Sequence, residues 1–148
     1  MALLHSFEDE DAAESFRAAQ RADPAFALAY WGEALTYSKL LWGLDDVPAA
    51  RAALARLAPT TAERLARART PRERAYGAAV EAFYADTDVS RRSLAYADSM
   101  RQLARAYPAD PEAAALASIA LLMAATSARL QPGQDTLLRN EAIALATR

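Results

Sequence analysis

The spacing Ala12-x3-Phe16-x2-Ala19-x4-Pro24 returns later in the chain as Ser99-x3-Leu103-x2-Ala106-x4-Pro111. Ala50-x3-Leu54-x2-Leu57 repeats its first three positions, with Pro59 arriving two residues early. In the other half of each unit, Tyr30, Ala34 and Tyr37 match Tyr76, Val80 and Phe83 in spacing. Intervals of three and four put such residues on one face of a helix. The chain therefore reads as paired helices, with an aromatic-rich first member and a second member whose small residues flank a large one. Small residues let neighbouring helices approach closely, and the large one fills the gap between pairs. Composition agrees, because 40 of the 148 residues are alanine and sustained valine, isoleucine or threonine runs are nearly absent. Both facts disfavour a β-rich fold.

Local signals divide the chain further. Asp11 to Ala22 carries Ala12, Phe16 and Ala19 on one stripe, with Glu14, Arg17 and Arg21 outside. Asp23-Pro24 ends that helix, and Pro24 can open the next, through Phe26, Tyr30, Ala34 and Tyr37 towards Leu41. Asp46 can cap a third helix with Ala50, Leu54 and Leu57 inward. Thr60-Thr61-Ala62-Glu63 predicts a cap and a short helix to Arg69, with Glu63 and Arg67 as an i,i+4 pair. Thr70-Pro71-Arg72-Glu73 is a fuller start signal: threonine caps, proline takes the first helical position and glutamate reaches back to the cap. The helix that follows turns Tyr76, Ala79, Val80 and Phe83 inward. Arg91 to Tyr107 stacks Tyr96, Met100, Leu103 and Tyr107, Glu112 to Arg129 is a long alanine-rich helix, and Thr136 to Thr147 is the last. The expectation is an all-α fold of seven or eight helices, antiparallel because their joints are short, with no strand. Leu40-Leu41-Trp42-Gly43-Leu44 is the most apolar non-periodic stretch; it either plugs two repeats together or, if exposed, is an interaction site.

Taken together, these units resemble the tetratricopeptide repeat (TPR) family, whose pattern is W-x2-L-G-x2-Y, then A-x3-F, then P. Tyr30, Ala34, Tyr37, Tyr76, Ala79, Val80 and Phe83 carry the likeness on first helices. Ala12, Phe16, Ala19, Pro24, Ser99, Leu103, Ala106 and Pro111 carry it on second helices. The run from Phe16 to Leu35 is similar to bacterial proteins of this type. Glu33 stands at the usual leucine place, and Ala34 and Val80 stand where the family has glycine. The likeness implies a superhelix of α-hairpins over residues 1–148, with repeats at 1–24, 25–59, 70–111 and 112–148 and an extra helix at 60–69. Leu3-Leu4 and Phe7 look like the tail of a helix, and Glu141 to Arg148 continues a helical pattern without a stop signal. The chain is thus expected to be a segment of a longer array.

TPR-like arrays mostly bind proteins or peptides on the face lined by first helices, or they self-assemble. On this chain that face would present Trp31, Leu35, Ser38 and Lys39, then Arg74, Glu81 and Tyr84, then Ser118 and Leu122. A groove mixing aromatic, cationic and hydroxyl groups can hold an extended peptide. The resemblance therefore implies a non-enzymatic protein-interaction scaffold. A self-associating homo-oligomer is the alternative, and an enzyme of unrecognised type the third.

Several chemistries find no support in the residues. Cysteine is absent, and His5 is the single histidine, which leaves no two-histidine zinc site. His5 with Glu8 and Asp9 reads as an acidic helix start that complements the helix dipole. No phosphate loop, dinucleotide fingerprint, nucleophile elbow or zinc-protease motif is present, and Asp45-Asp46, Asp86 and Asp88 sit at turns, where they cap helices. No cofactor or metal is expected. A formal charge of −2 argues against a general nucleic-acid surface. The most basic segment, Arg64, Arg67, Arg69, Arg72 and Arg74, is interspersed with Glu63 and Glu73 and reads as a solvated face. The N-terminus lacks the features of a signal peptide, and Ala113 to Ala125 is too short for a membrane span. A cytoplasmic location is expected if Met1 is the true start.

Overall fold

A computed structural model describes residues 9–39 and 44–147. Over these residues the chain forms eight helices in sequence. They are α1 (Asp9–Ala22), α2 (Ala27–Thr36), α3 (Val47–Leu57), α4 (Thr61–Ala66), α5 (Pro71–Ala85), α6 (Val89–Ala106), α7 (Pro111–Ser127) and α8 (Gln134–Ala146). The all-α expectation holds, with one small exception. Ser38–Lys39 (β1) and Leu44–Asp45 (β2) pair antiparallel, Ser38 opposite Asp45 and Lys39 opposite Leu44. The Ser38 hydroxyl donates to Asp45 at 2.5 Å, and the Asp46 N–H donates to the Tyr37 carbonyl at 2.9 Å. Leu3, Leu4, His5, Phe7, Glu8 and the segment 40–43 with Trp42 lie outside the described residues.

Five helix starts carry the caps that local chemistry predicts, whereas α2 begins at Ala27 behind Phe26 rather than at Pro24, and α8 at Gln134 behind Gly133, both without a side-chain cap. Asp46 accepts from Ala49 N at 3.0 Å, with proline in the first turn of α3. Thr60 and Glu63 complete a reciprocal capping box on α4. Thr70 accepts from Glu73 N at 3.1 Å, but the Glu73 carboxylate takes the Arg69 N–H at 2.7 Å, one residue earlier than the box requires. Asp88 and Asp110 cap α6 and α7 through Arg91 N and Glu112 N. Each such side chain satisfies an N–H that the first helical turn leaves without a partner.

The described residues fall into two compact units, residues 9–39 with 44–81, and residues 82–147. The boundary lies inside α5. In the first unit α2 packs against both α1 and α3. A Cβ on Gly32 would run into the Phe16 ring, Arg17 bonds Glu33, and Gln20, one turn on, bonds the Ala29 carbonyl, one turn back. That crossing order is antiparallel. From Ala29 to Thr36 every residue of α2 is buried, so α2 is a central helix covered on all sides. Gly32 and Gly77 are the close-approach positions, because a Cβ on Gly77 would collide with the Trp31 indole.

In the second unit α7 packs against α6 and α8. Tyr96, Met100 and Leu103 are buried as their stacking predicts, whereas Tyr107 is half-buried and closes the end of α6. Phe83 lies 5.2 Å from the Tyr96 ring, centre to centre, and the Arg92 guanidinium sits 4.9 Å over the Phe83 ring. Ser93 shares a hydrogen bond with Ser127 at 2.8 Å, and Ser118 donates to the Ala142 carbonyl at 2.9 Å. No described helix is long and apolar enough to cross a membrane.

Candidate functional site

Helix α2 reads Ala-Leu-Ala-Tyr-Trp-Gly-Glu-Ala-Leu-Thr, with one charged residue in an apolar run. That residue, Glu33, is 0% exposed. A carboxylate at such depth is tolerated only when donors replace its water, and four do. Glu33 Oε1 accepts from Arg17 Nε at 3.1 Å and from the Tyr37 hydroxyl at 3.2 Å. Its Oε2 accepts from Gln20 Nε2 at 2.6 Å and from Arg56 Nη2. Antiparallel packing of α1 on α2 brings Arg17 and Gln20 to it, and the last turn of α3 brings Arg56. Arg17 also donates through Nη2 to the Tyr37 hydroxyl at 3.1 Å. Bonding to Tyr37 first, and to Glu33 second, holds the Arg17 guanidinium above its ordinary pKa.

This knot forms the floor of an open pocket of about 470 Å³. Arg21, Pro24 and the buried Tyr30 complete its lining. The side chains of Arg17 and Arg56 are 40% and 48% exposed, and Arg21 reaches out to Glu14 at 2.7 Å. Both oxygens of the one acid in the lining are already engaged. What the pocket offers a ligand is therefore N–H donors and positive charge. Its size lies in the range of small-ligand clefts.

Of the residues expected on the first-helix face, the structure brings Trp31 and Glu81 together inside the first unit. Trp31 is 1% exposed and donates through Nε1 to Glu81 at 3.2 Å. Arg64 of α4 clamps the same carboxylate with two bonds of 2.7 Å, Thr61 adds another at 2.8 Å, and Arg64 also donates to the Ala58 carbonyl at 2.9 Å. Burial pushes the Glu81 carboxyl up, but the bonds from Arg64, Thr61 and Trp31 together hold it below the ordinary carboxylate value. Arg64 is thus a buried ion-pair partner, correcting its assignment to a solvated arginine face. Leu35 and Tyr84 are buried too, Tyr84 edge-on to Phe83 at 4.8 Å. Ser38 and Ser118 are buried, Leu122 is half-buried and Arg74 is exposed, while the Lys39 side chain lies outside the described residues.

The residues that sequence reasoning did not single out are Arg17, Gln20, Glu33 and Arg56. One signal was available: Glu33 is a lone charge in the middle of an apolar helix. Its partners carried no such mark, since Arg17 sits on the outer stripe of its own helix. Among the described residues, no three carboxylate or histidine side chains come together in a way that could hold a metal ion. Comparisons with protein families, with curated proteins and with solved structures return no match to this chain.

Proposed function

We propose that this chain is a non-enzymatic helical-hairpin module, TPR-like in its repeats, that binds a protein or peptide. The observation that carries the proposal is the open pocket over α1, α2 and α3, walled by side chains from three consecutive helices around an acid whose oxygens are fully occupied. Duplicated aromatic and small-residue spacing supports the TPR-like part of the reading. In this form of the proposal the contact surface uses Arg17, Arg21, Tyr37 and Arg56, rather than the buried side chains of Trp31, Leu35, Glu81 and Tyr84. Arg74, exposed on α5, remains available as a contact.

The test is selection from a displayed random-peptide library on the wild-type chain and on Arg21→Trp, which fills the rim from an exposed position. Peptides that saturate the wild type and fail on Arg21→Trp are expected. A selection in which no binder is sensitive to that change sinks the proposal.

Self-association is the second reading, favoured by Leu137 and Ile143, which are 69% and 60% exposed on α8. Sedimentation across micromolar to millimolar concentration distinguishes it, and a monomer throughout removes it.

A further inference from the structure

The pocket floored by Glu33 holds more positive charge than its own acid can balance. Arg17, Arg21 and Arg56 line it with Glu33, and Glu14 beside the lining pairs with Arg21 at 2.7 Å and with Arg17 at 3.7 Å, so three cations meet two acids. Arg17 is committed, with Nε on Glu33 and Nη2 on Tyr37. Arg56 reaches Glu33 and Gln20 through Nη2 alone, and Arg21 reaches Glu14 through Nη2 alone. Among the described residues, no acceptor meets Nε or Nη1 of either arginine. Both side chains line the pocket and are about half or more exposed, Arg56 at 48% and Arg21 at 64%. The Arg21–Glu14 pair, exposed on both sides, is of the weak kind that gives way to a stronger ligand.

Planar guanidinium forks suit oxyanions. A carboxylate brings one negative charge and two acceptor oxygens, fewer than the four N–H-bearing positions, Nε and Nη1 of Arg21 and Arg56, that stand without an acceptor among the described residues. A phosphomonoester brings about −1.5 to −2 near neutral pH, together with three acceptor oxygens. We propose that this pocket takes the phosphoryl group of a phosphorylated serine or threonine side chain, with the rest of the partner peptide outside the mouth. The proposal rests on the peptide-binding reading above and names the group that would be recognised.

The experiment is fluorescence anisotropy with a labelled heptapeptide, Gly-Ala-Ala-X-Ala-Ala-Gly, where X is phosphoserine, serine or glutamate. The phosphoserine peptide should bind at least about tenfold more tightly than either of the others, and the advantage should shrink as salt rises. Arg21→Gln and Arg56→Gln should each weaken it about tenfold. Arg139→Gln, exposed on α8 and equal in charge change, should leave it unaltered. Arg21→Gln should keep the wild-type unfolding midpoint, because Arg21 touches only an exposed partner. Equal affinity for the glutamate peptide, or an equal loss in Arg139→Gln, overturns the proposal. So does displacement of the peptide by inorganic phosphate at concentrations near the peptide's own Kd, which marks a site for a free anion. Full affinity in both pocket variants overturns the pocket while leaving peptide binding standing. A library selection without rim-sensitive binders fails the broader reading instead.

Discussion

Gly77 occupies a helix position where alanine would ordinarily be the better residue, by about 1 kcal/mol of helix propensity. The Trp31 indole fills the space where a Cβ would stand, so that propensity cannot be collected without moving a buried ring. Gly77→Ala is expected to destabilise the chain by about 1–3 kcal/mol despite the gain in propensity. Urea denaturation reads this as a lower midpoint. An unchanged or raised midpoint would mean that the ring does not rest there. Glu33 and Glu81 share a residue-scale logic. Each is a buried acid whose oxygens are filled by arginine and by neutral donors. Apart from Tyr37, four residues on from Glu33, their partners lie 13 to 50 residues away, so nothing in the local pattern distinguishes Arg17 or Arg64 from a solvated arginine. Glu33 was legible only as an oddity in an apolar run.

At the scale of elements, the boundaries were the most readable feature. A cap is a local bargain between one side chain and an N–H two or three residues on, and Asp46, Thr60, Asp88 and Asp110 all make it. Helix α4, only six residues long, depends on its box more than the longer helices do, because a short helix gains few hydrogen bonds for its nucleation cost. It also carries Arg64 to Glu81, so fraying α4 loosens the clamp on α5. Thr60→Ala should cost about 1 kcal/mol, within the usual range of about 0.5–2 for a lost cap. Hydrogen exchange should show faster exchange at Glu63 and Arg64 N–H than in the wild type. Equal protection would show that the Arg64–Glu81 pair, rather than the cap, holds the helix. The β1–β2 pair was not legible. Two residues per strand leave no alternation to detect, and the pairing is stated by the Ser38–Asp45 contact instead.

For the whole molecule, the distribution of charge sets the response to acid. Glu81 lies below its ordinary value of 4.5, and so do Glu14 and Glu63, while Asp23 and Asp86 lie below theirs of 3.8. Glu81 is lowered against the push of burial by Arg64, Thr61 and Trp31, Glu14 by Arg21, Glu63 by Thr60, Asp23 by Arg69 and Asp86 by Arg91. A carboxyl with a lowered folded pKa stabilises fully above its unfolded value and loses that contribution as pH falls through the folded one. Stability should therefore hold from neutral pH down to about 4.5 and decline below it. Glu81→Gln should be less stable than the wild type at pH 7, and the gap should narrow as the pH is lowered to 3. Denaturant midpoints across that range check it, and a gap independent of pH would mean that Glu81 is not held in its charged form by the fold. The sequence by itself determined that the chain is helical, where most helices begin, and that α1 and α2 cross antiparallel. These follow from period, caps and short joints, all of them interactions within a few residues. Only the tertiary structure decided which polar groups lie inside and where a pocket opens. Burial of Glu33, Glu81 and Arg64 is a property of the packed helices around them, and each carries its charge there because partners distant in the chain replace the water it gave up.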